Sequence, residues 1–177
     1  MKKIYNNVDN GSNLLCTDQF KYNQLKEFDP ENTNYLLCAK HPFHKELVGY
    51  DKNCPKDHYE YLYAYRENES VLALNMIDAN DKKYFSKEMI DEGIDFIDRS
   101  LKSGIDVVVV CNKGESRSPS MCLIYLISQG YFISTMSISE VIEEFKKIYP
   151  EYNPNCGIYE YVCDYWNNFC KLTNGKR

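Results

Sequence analysis

The chain has no apolar run approaching the roughly 20 residues that a membrane-crossing helix needs. It also lacks a basic excess, since 21 Lys and Arg stand against 26 Asp and Glu for a formal net charge of -5. Without a Lys/Arg stripe there is no electrostatic footprint for a polyanion, so neither nucleic acid nor a membrane surface is expected as a partner. No Cys-x-x-Cys pair occurs among the eight cysteines, and the opening "MKKIYNNVDNGSN" has two lysines with no apolar segment behind them. With no export signal in view, a disulfide framework is not expected, and the protein is expected to be cytoplasmic. Repeats, low-complexity tracts and Pro/Gly/Ser linkers are absent too, which predicts one domain over residues 1–177. Only the ends are expected to lack order.

What is present is core-forming material: 44% of the residues are hydrophobic and 14% aromatic, enough for a sizeable interior in a chain of this length. "NLLC" (13–16) reads as a strand and Thr17 as the cap of a helix running to about residue 27. "FDPENTN" (28–34) is turn-rich, "YLLC" (35–38) is a second strand, and "VLALNMI" (71–77) a third. Residues 39–70 give the weakest pattern and read as a long variable segment, with a helix near "DHYEYLYAYR". Met89, Ile90, Ile94, Ile97 and Leu101 recur at helical spacing, predicting a helix over about 86–102. "IDVVVV" (105–110) is a β-branched run without polar alternation, the pattern of a strand buried on both faces. Strand, helix, strand in that order implies parallel pairing and an α/β fold, a central mostly parallel sheet flanked by helices. Further helices are expected at about 138–148 and 157–170.

At the end of the valine run comes "CNKGESRS". Ligands of open α/β sheets sit at the carboxyl ends of strands, beside helix N-termini, and Cys111 stands there. Asn112, Lys113, Gly114, Glu115 and Ser116 form a loop whose backbone N–H groups can enclose an anion, with Gly114 free to adopt a positive φ. Arg117 adds a planar fork suited to two phosphoryl oxygens. Ser118 and Pro119 open the next helix, whose N-terminus favours negative charge. The same field stabilises a thiolate at Cys111, and Ser118 can donate to it. A thiolate beneath a bound phosphate is a nucleophile for metal-free phosphoryl transfer. The plainer alternative makes Cys111 a small core residue closing a strand.

These residues resemble the cysteine-dependent protein tyrosine phosphatase superfamily, and more closely its dual-specificity branch. "CNKGESRS" matches the branch pattern C-x-x-G-x-S-R-S. "NLLCTDQFKYNQL", "LNMIDANDKKYF", "IDFID" and "YPEYNPNCGIYEYV" are similar to its other landmarks. The resemblance implies a phosphatase of phosphotyrosine, or of phosphoserine and phosphothreonine as well, in a phosphorylated protein substrate, working through a phosphocysteine without a cofactor. One position departs: the branch normally carries His before the Cys, and here it is Val110. A working enzyme is expected, with a higher thiol pKa or a narrower pH range.

The family takes its leaving-group proton from an Asp about 30 residues before the Cys. Asp78 and Asp81 lie 33 and 30 residues ahead of Cys111. A gapless placement favours Asp81, and position directly after the strand favours Asp78; Asp81 is preferred. Cys38, His41, His44, Cys54 and His58 cluster within 21 residues, but their spacing matches no common zinc framework, so no metal is expected. The segment holding them is expected to border the cleft. Two further functions stay open: a phosphatase of phosphoinositides or RNA 5′ phosphates, which Lys113 favours and Glu115 disfavours, and a phosphate-binding module, which Val110 keeps in view. The oligomeric state is not legible.

Overall fold

The protein is described by a computed structural model covering residues 1–27, 32–66 and 68–174. Six strands form one sheet: β1 (Lys2–Asn6), β2 (Asn13–Asp18), β3 (Thr33–Leu37), β4 (Tyr63–Tyr65), β5 (Val71–Leu74) and β6 (Asp106–Cys111), in the order β1-β2-β6-β3-β5-β4. The four inner strands run parallel, and the edge strands β1 and β4 pair antiparallel with β2 and β5. The expectation of a mostly parallel sheet therefore holds.

β6 lies between β2 and β3 and takes apolar cover on both sides. Val107, Val109 and Cys111 face one core with Leu14, Cys16, Leu36 and Cys38. Val108 and Val110 face a second with Tyr22, Tyr35, Leu37, Ala39 and Phe43. All four valines are buried, each contributing roughly 1.5–3 kcal/mol of transfer free energy. On the first face lie α3 (Lys87–Lys102), α4 (Arg117–Ser128), α5 (Ile138–Ile148) and α6 (Cys156–Asn174), and α1 (Gln19–Leu25) lends Tyr22 to the second. Each expected helix boundary after residue 86 falls within about a turn of the observed one. Ser86 caps α3 through Met89 N, and Ser137 with Glu140 forms a reciprocal capping box on α5, the arrangement that satisfies orphan N–H groups.

Several local readings are corrected. The first residues are ordered: Lys2–Asn6 form edge strand β1, with Ile4 turned into the core. Asp18, not Thr17, caps α1, its carboxylate accepting from Lys21 N, because β2 continues through Thr17 beside Val110. Of the turn expected at 28–34, residues 28–31 lie outside the described residues, and Thr33 already belongs to β3. No helix forms over "DHYEYLYAYR"; Tyr63–Tyr65 is β4, registered Tyr63↔Leu74 and Tyr65↔Leu72. The alternating tyrosines obey the strand period, and pairing with the buried β5 decides between the two. The helical turns of this segment come earlier, at Lys40–His44 and α2 (Lys45–Val48). Among the described residues no helix is long and apolar enough to cross a membrane.

Candidate active site

The loop between β6 and α4 closes a cavity of about 260 Å³ at the carboxyl edge of the sheet. Cys111, Lys113, Glu115, Ser116 and Arg117 line it, joined by Asp78 from the loop after β5 and by Asn153, Pro154 and Asn155 from the segment before α6. Cys111 is 2% exposed, at the base. Ser118 Oγ donates to Cys111 Sγ at 3.1 Å, and Cys16 Sγ donates to that hydroxyl from behind at 3.5 Å. Beside Cys111 in the sheet stands Cys38, whose N–H bonds Val110 O at 2.7 Å; burial pushes its thiol well above the ordinary range.

The loop's shape follows from what holds its carbonyls. Asn112 O accepts from Gln19 N at 3.3 Å, Gly114 O from the Tyr149 hydroxyl at 2.8 Å, and Glu115 O from Asn153 N at 2.8 Å. In a trans peptide the N–H points opposite to the C=O, so the N–H groups of Lys113, Glu115 and Ser116 are turned the other way. That is the backbone arrangement of an anion nest. Gly114 sits at φ +73°, and a Cβ there would stand 3.1 Å from Asp18 N and 3.2 Å from Thr17 C, so both conformation and space demand glycine. Asn112 and Gly114 thus shape the loop from behind, while Lys113, Glu115, Ser116 and Arg117 face the cavity.

Arg117, 6% exposed, is locked by two bonds: Nη1 to Met76 O at 3.0 Å and Nη2 to Asn112 Oδ1 at 2.6 Å. The Asn112 amide is itself fixed by Gln19 Oε1 and His41 O, both at 2.9 Å. Arg117 Nε is buried without a hydrogen-bond partner and lies 3.9 Å from Asp78 Oδ1. A buried donor left unpaired costs about 1–3 kcal/mol, a cost that an anion in the cavity would remove. Val110 packs into the second core and gives the loop no polar contact; beside it, Thr17 Oγ1 is buried without a partner.

The structure places the two acidic candidates differently. Asp78 lines the cavity, with Oδ1 accepting from Ser116 Oγ at 3.3 Å. Asp81 caps the single helical turn Lys82–Tyr84, accepting from Lys83 N at 2.9 Å, and pairs with Lys83 Nζ at 2.8 Å. The Lys83 side chain and backbone N–H hold the Asp81 carboxyl below its ordinary range, the wrong direction for a proton donor.

Of the histidine and cysteine cluster, His44 is fully buried, bonded to the Tyr50 hydroxyl and to Glu60 O. Among the described residues no three ligand-type side chains gather closely enough for a metal. The segment touches the phosphate loop from behind, through the bond from Asn112 to His41 O, and none of its described residues lines the cavity. Sequence reasoning missed Tyr149, Asn153 and Asn155. The Asn-Pro-Asn run just before a helix was the available signal for Asn155, since Asn favours helix entry and Pro fixes the approach.

Comparison with known proteins gives the chain its family. The family model described as "Dual specificity phosphatase, catalytic domain" matches residues 37–168. The chain is 31% identical over 94 residues to Dual specificity protein phosphatase 1 of Arabidopsis thaliana, covering 53% of this chain and 43% of that protein. It therefore spans less than half the length of that relative. Among solved structures, a leucine rich repeat and phosphatase domain containing protein from Entamoeba histolytica superposes with a TM-score of 0.60 at 12% identity, over 90% of this chain and 89% of the other. PTPMT1 in complex with PI(5)P gives 0.57 at 16% identity, over 90% and 91%. These two likenesses speak to the fold. The chain belongs to the dual specificity phosphatase catalytic-domain family.

Proposed function

We propose that the chain, acting as a single phosphatase domain over residues 1–177, hydrolyses phosphotyrosine, and in the broader reading phosphoserine and phosphothreonine, in proteins. The observation that carries this is Arg117: buried, oriented by two hydrogen bonds, and holding an unpartnered Nε beside Cys111 and Asp78. Its fork and the N–H groups of Lys113, Glu115 and Ser116 grip three non-bridging oxygens. The Cys111 thiolate attacks phosphorus, the bond to the leaving oxygen breaks, and Asp78 gives that oxygen its proton. Asp78, now a carboxylate, takes a proton from water; the hydroxide attacks the phosphocysteine, releasing phosphate and regenerating the thiolate, to which Ser118 donates. A low exit barrier for the sulfur is what the Ser118 bond supports.

A phosphoinositide substrate is the second reading, and Lys113 at the cavity is the observation that favours it. Glu115 in the same lining and the net charge of -5 weigh against a polyanionic substrate. The test is release of phosphate from an aryl phosphate, a phosphotyrosyl peptide, a phosphothreonyl peptide and phosphoinositide vesicles, with Cys111→Ser as control. Peptide turnover with inert vesicles supports the protein substrate; faster vesicle turnover would replace it. Absence of turnover by the reduced protein, with vanadate still bound, would reduce the site to a binding module.

A further inference from the structure

Asp78 is carried by a loop, and a loop holds a catalytic group in place only if something fixes the loop. The fixing element here is the head of α6. Asn155 N donates to Ser116 Oγ at 3.0 Å, and that hydroxyl donates to Asp78 Oδ1 at 3.3 Å. The Asn155 side chain is itself oriented, its Oδ1 accepting from Cys156 N at 2.9 Å, so that its Nδ2 donates to Asp78 O at 3.2 Å. One residue thereby joins the phosphate loop to both the backbone and the carboxylate of Asp78.

Gly157 does the rest by having no side chain. A Cβ at this position would stand 2.4 Å from Ala79 O and 2.9 Å from both Asp81 N and Asp81 C. These are backbone atoms, which cannot swing aside as a flexible side chain can. The helix therefore touches the acid loop main chain to main chain, and any substituent at 157 must push residues 79–81 away as a unit. Further along, Lys82 Nζ meets Asp164 Oδ2 at 2.5 Å, a second tie between the loop and α6.

We infer that Asn155 and Gly157 are positioning residues for Asp78, setting the distance between the proton donor and the phosphate loop; the inference rests on the reading of Asp78 as the acid. The discriminating property is leaving-group dependence. A poor leaving group such as phenolate needs the proton, whereas 2,4-dinitrophenolate leaves without it.

The experiment measures kcat and KM for phenyl phosphate and 2,4-dinitrophenyl phosphate, with the rate of Cys111 alkylation by iodoacetate as a check on the thiol. Gly157→Ala should lose roughly 30- to 100-fold in kcat on phenyl phosphate and less than about threefold on the dinitrophenyl ester. Alkylation should be unchanged. Asn155→Ala, which adds no atom and keeps the test alive if the glycine variant folds poorly, should show the same selectivity at roughly 10-fold. Added to Asp78→Asn, neither change should deepen the selectivity further, because the group they position is already gone. Equal losses on both esters, no loss on either, or multiplicative losses in the double variants would overturn the inference while leaving Asp78 as the acid. A flat leaving-group dependence in Asp78→Asn would overturn that assignment and the inference with it.

Discussion

Loop 112–116 and segment 39–62 leave the same edge of the sheet, after adjacent strands β6 and β3, and are built differently. The loop turns from strand to helix within five residues. Its glycine has the required positive φ, its Asn bonds the Arg that follows, and the carbonyls of Asn112, Gly114 and Glu115 accept from neighbours. The segment wanders much further and is pinned at isolated points: Lys40 N to Met76 O, the His44 ring to Tyr50 and Glu60, Asn75 Nδ2 to Tyr61 O. A short loop whose own residues satisfy one another has few alternatives. A long one depends on partners that sequence spacing does not reveal. The loop should therefore fail in activity with little change in stability, and the segment the other way round.

The largest expected effect breaks the loop. Cys111→Ser should lower turnover of an aryl phosphate by on the order of 10⁴-fold or more, with vanadate binding retained. Arg117→Lys, which keeps charge but not the fork, should cost roughly 10²- to 10³-fold, while the thermal midpoint moves little. Next, Asp78→Asn should lose about 10²-fold on phenyl phosphate and far less on 2,4-dinitrophenyl phosphate. A loss confined to Asp81→Asn would restore the spacing-based choice.

The segment provides the opposite case. His44→Ala strands the half-buried Glu60 carbonyl and Tyr50 hydroxyl, and should destabilise by about 1–3 kcal/mol in denaturant titration while the mutant, where folded, keeps most of its turnover. Burial lowers the His44 imidazole to about 4 from 6.5. Between those values the unfolded chain binds a proton that the folded chain refuses. Stability is complete above pH 6.5 and declines as pH falls towards 4, and His44→Ala should remove that part of the slope. Smallest of all, Asp81→Asn should leave kcat on both esters within about twofold, since an exposed cap and ion pair contribute little.

Much of the site was legible because its chemistry is compressed into consecutive residues. A buried β-branched strand, a cysteine, a glycine, an arginine and a helix start follow one another from 107 to 118, so spacing alone brings them together. The cover of both sheet faces and the late helices were legible for the same reason, through period and caps. Which carboxylate lines the cavity was not, because Asp78 and Asp81 sit three residues apart with the same chemistry, and only the course of the loop between β5 and α3 separates them. β4 was read as helix because a short edge strand of tyrosines carries both periods until its neighbour selects one.

By itself the sequence determined the parallel core, the loop at the end of β6 and the helix that follows it, since local sterics and hydrophobic period act over a few residues. Tertiary structure alone decided which carboxylate faces the cavity, which atoms orient Arg117, and that the head of α6 must be glycine where it meets residues 79–81. Those depend on segments tens of residues apart meeting at distances of about 3 Å, and no pattern within any one segment encodes such a meeting.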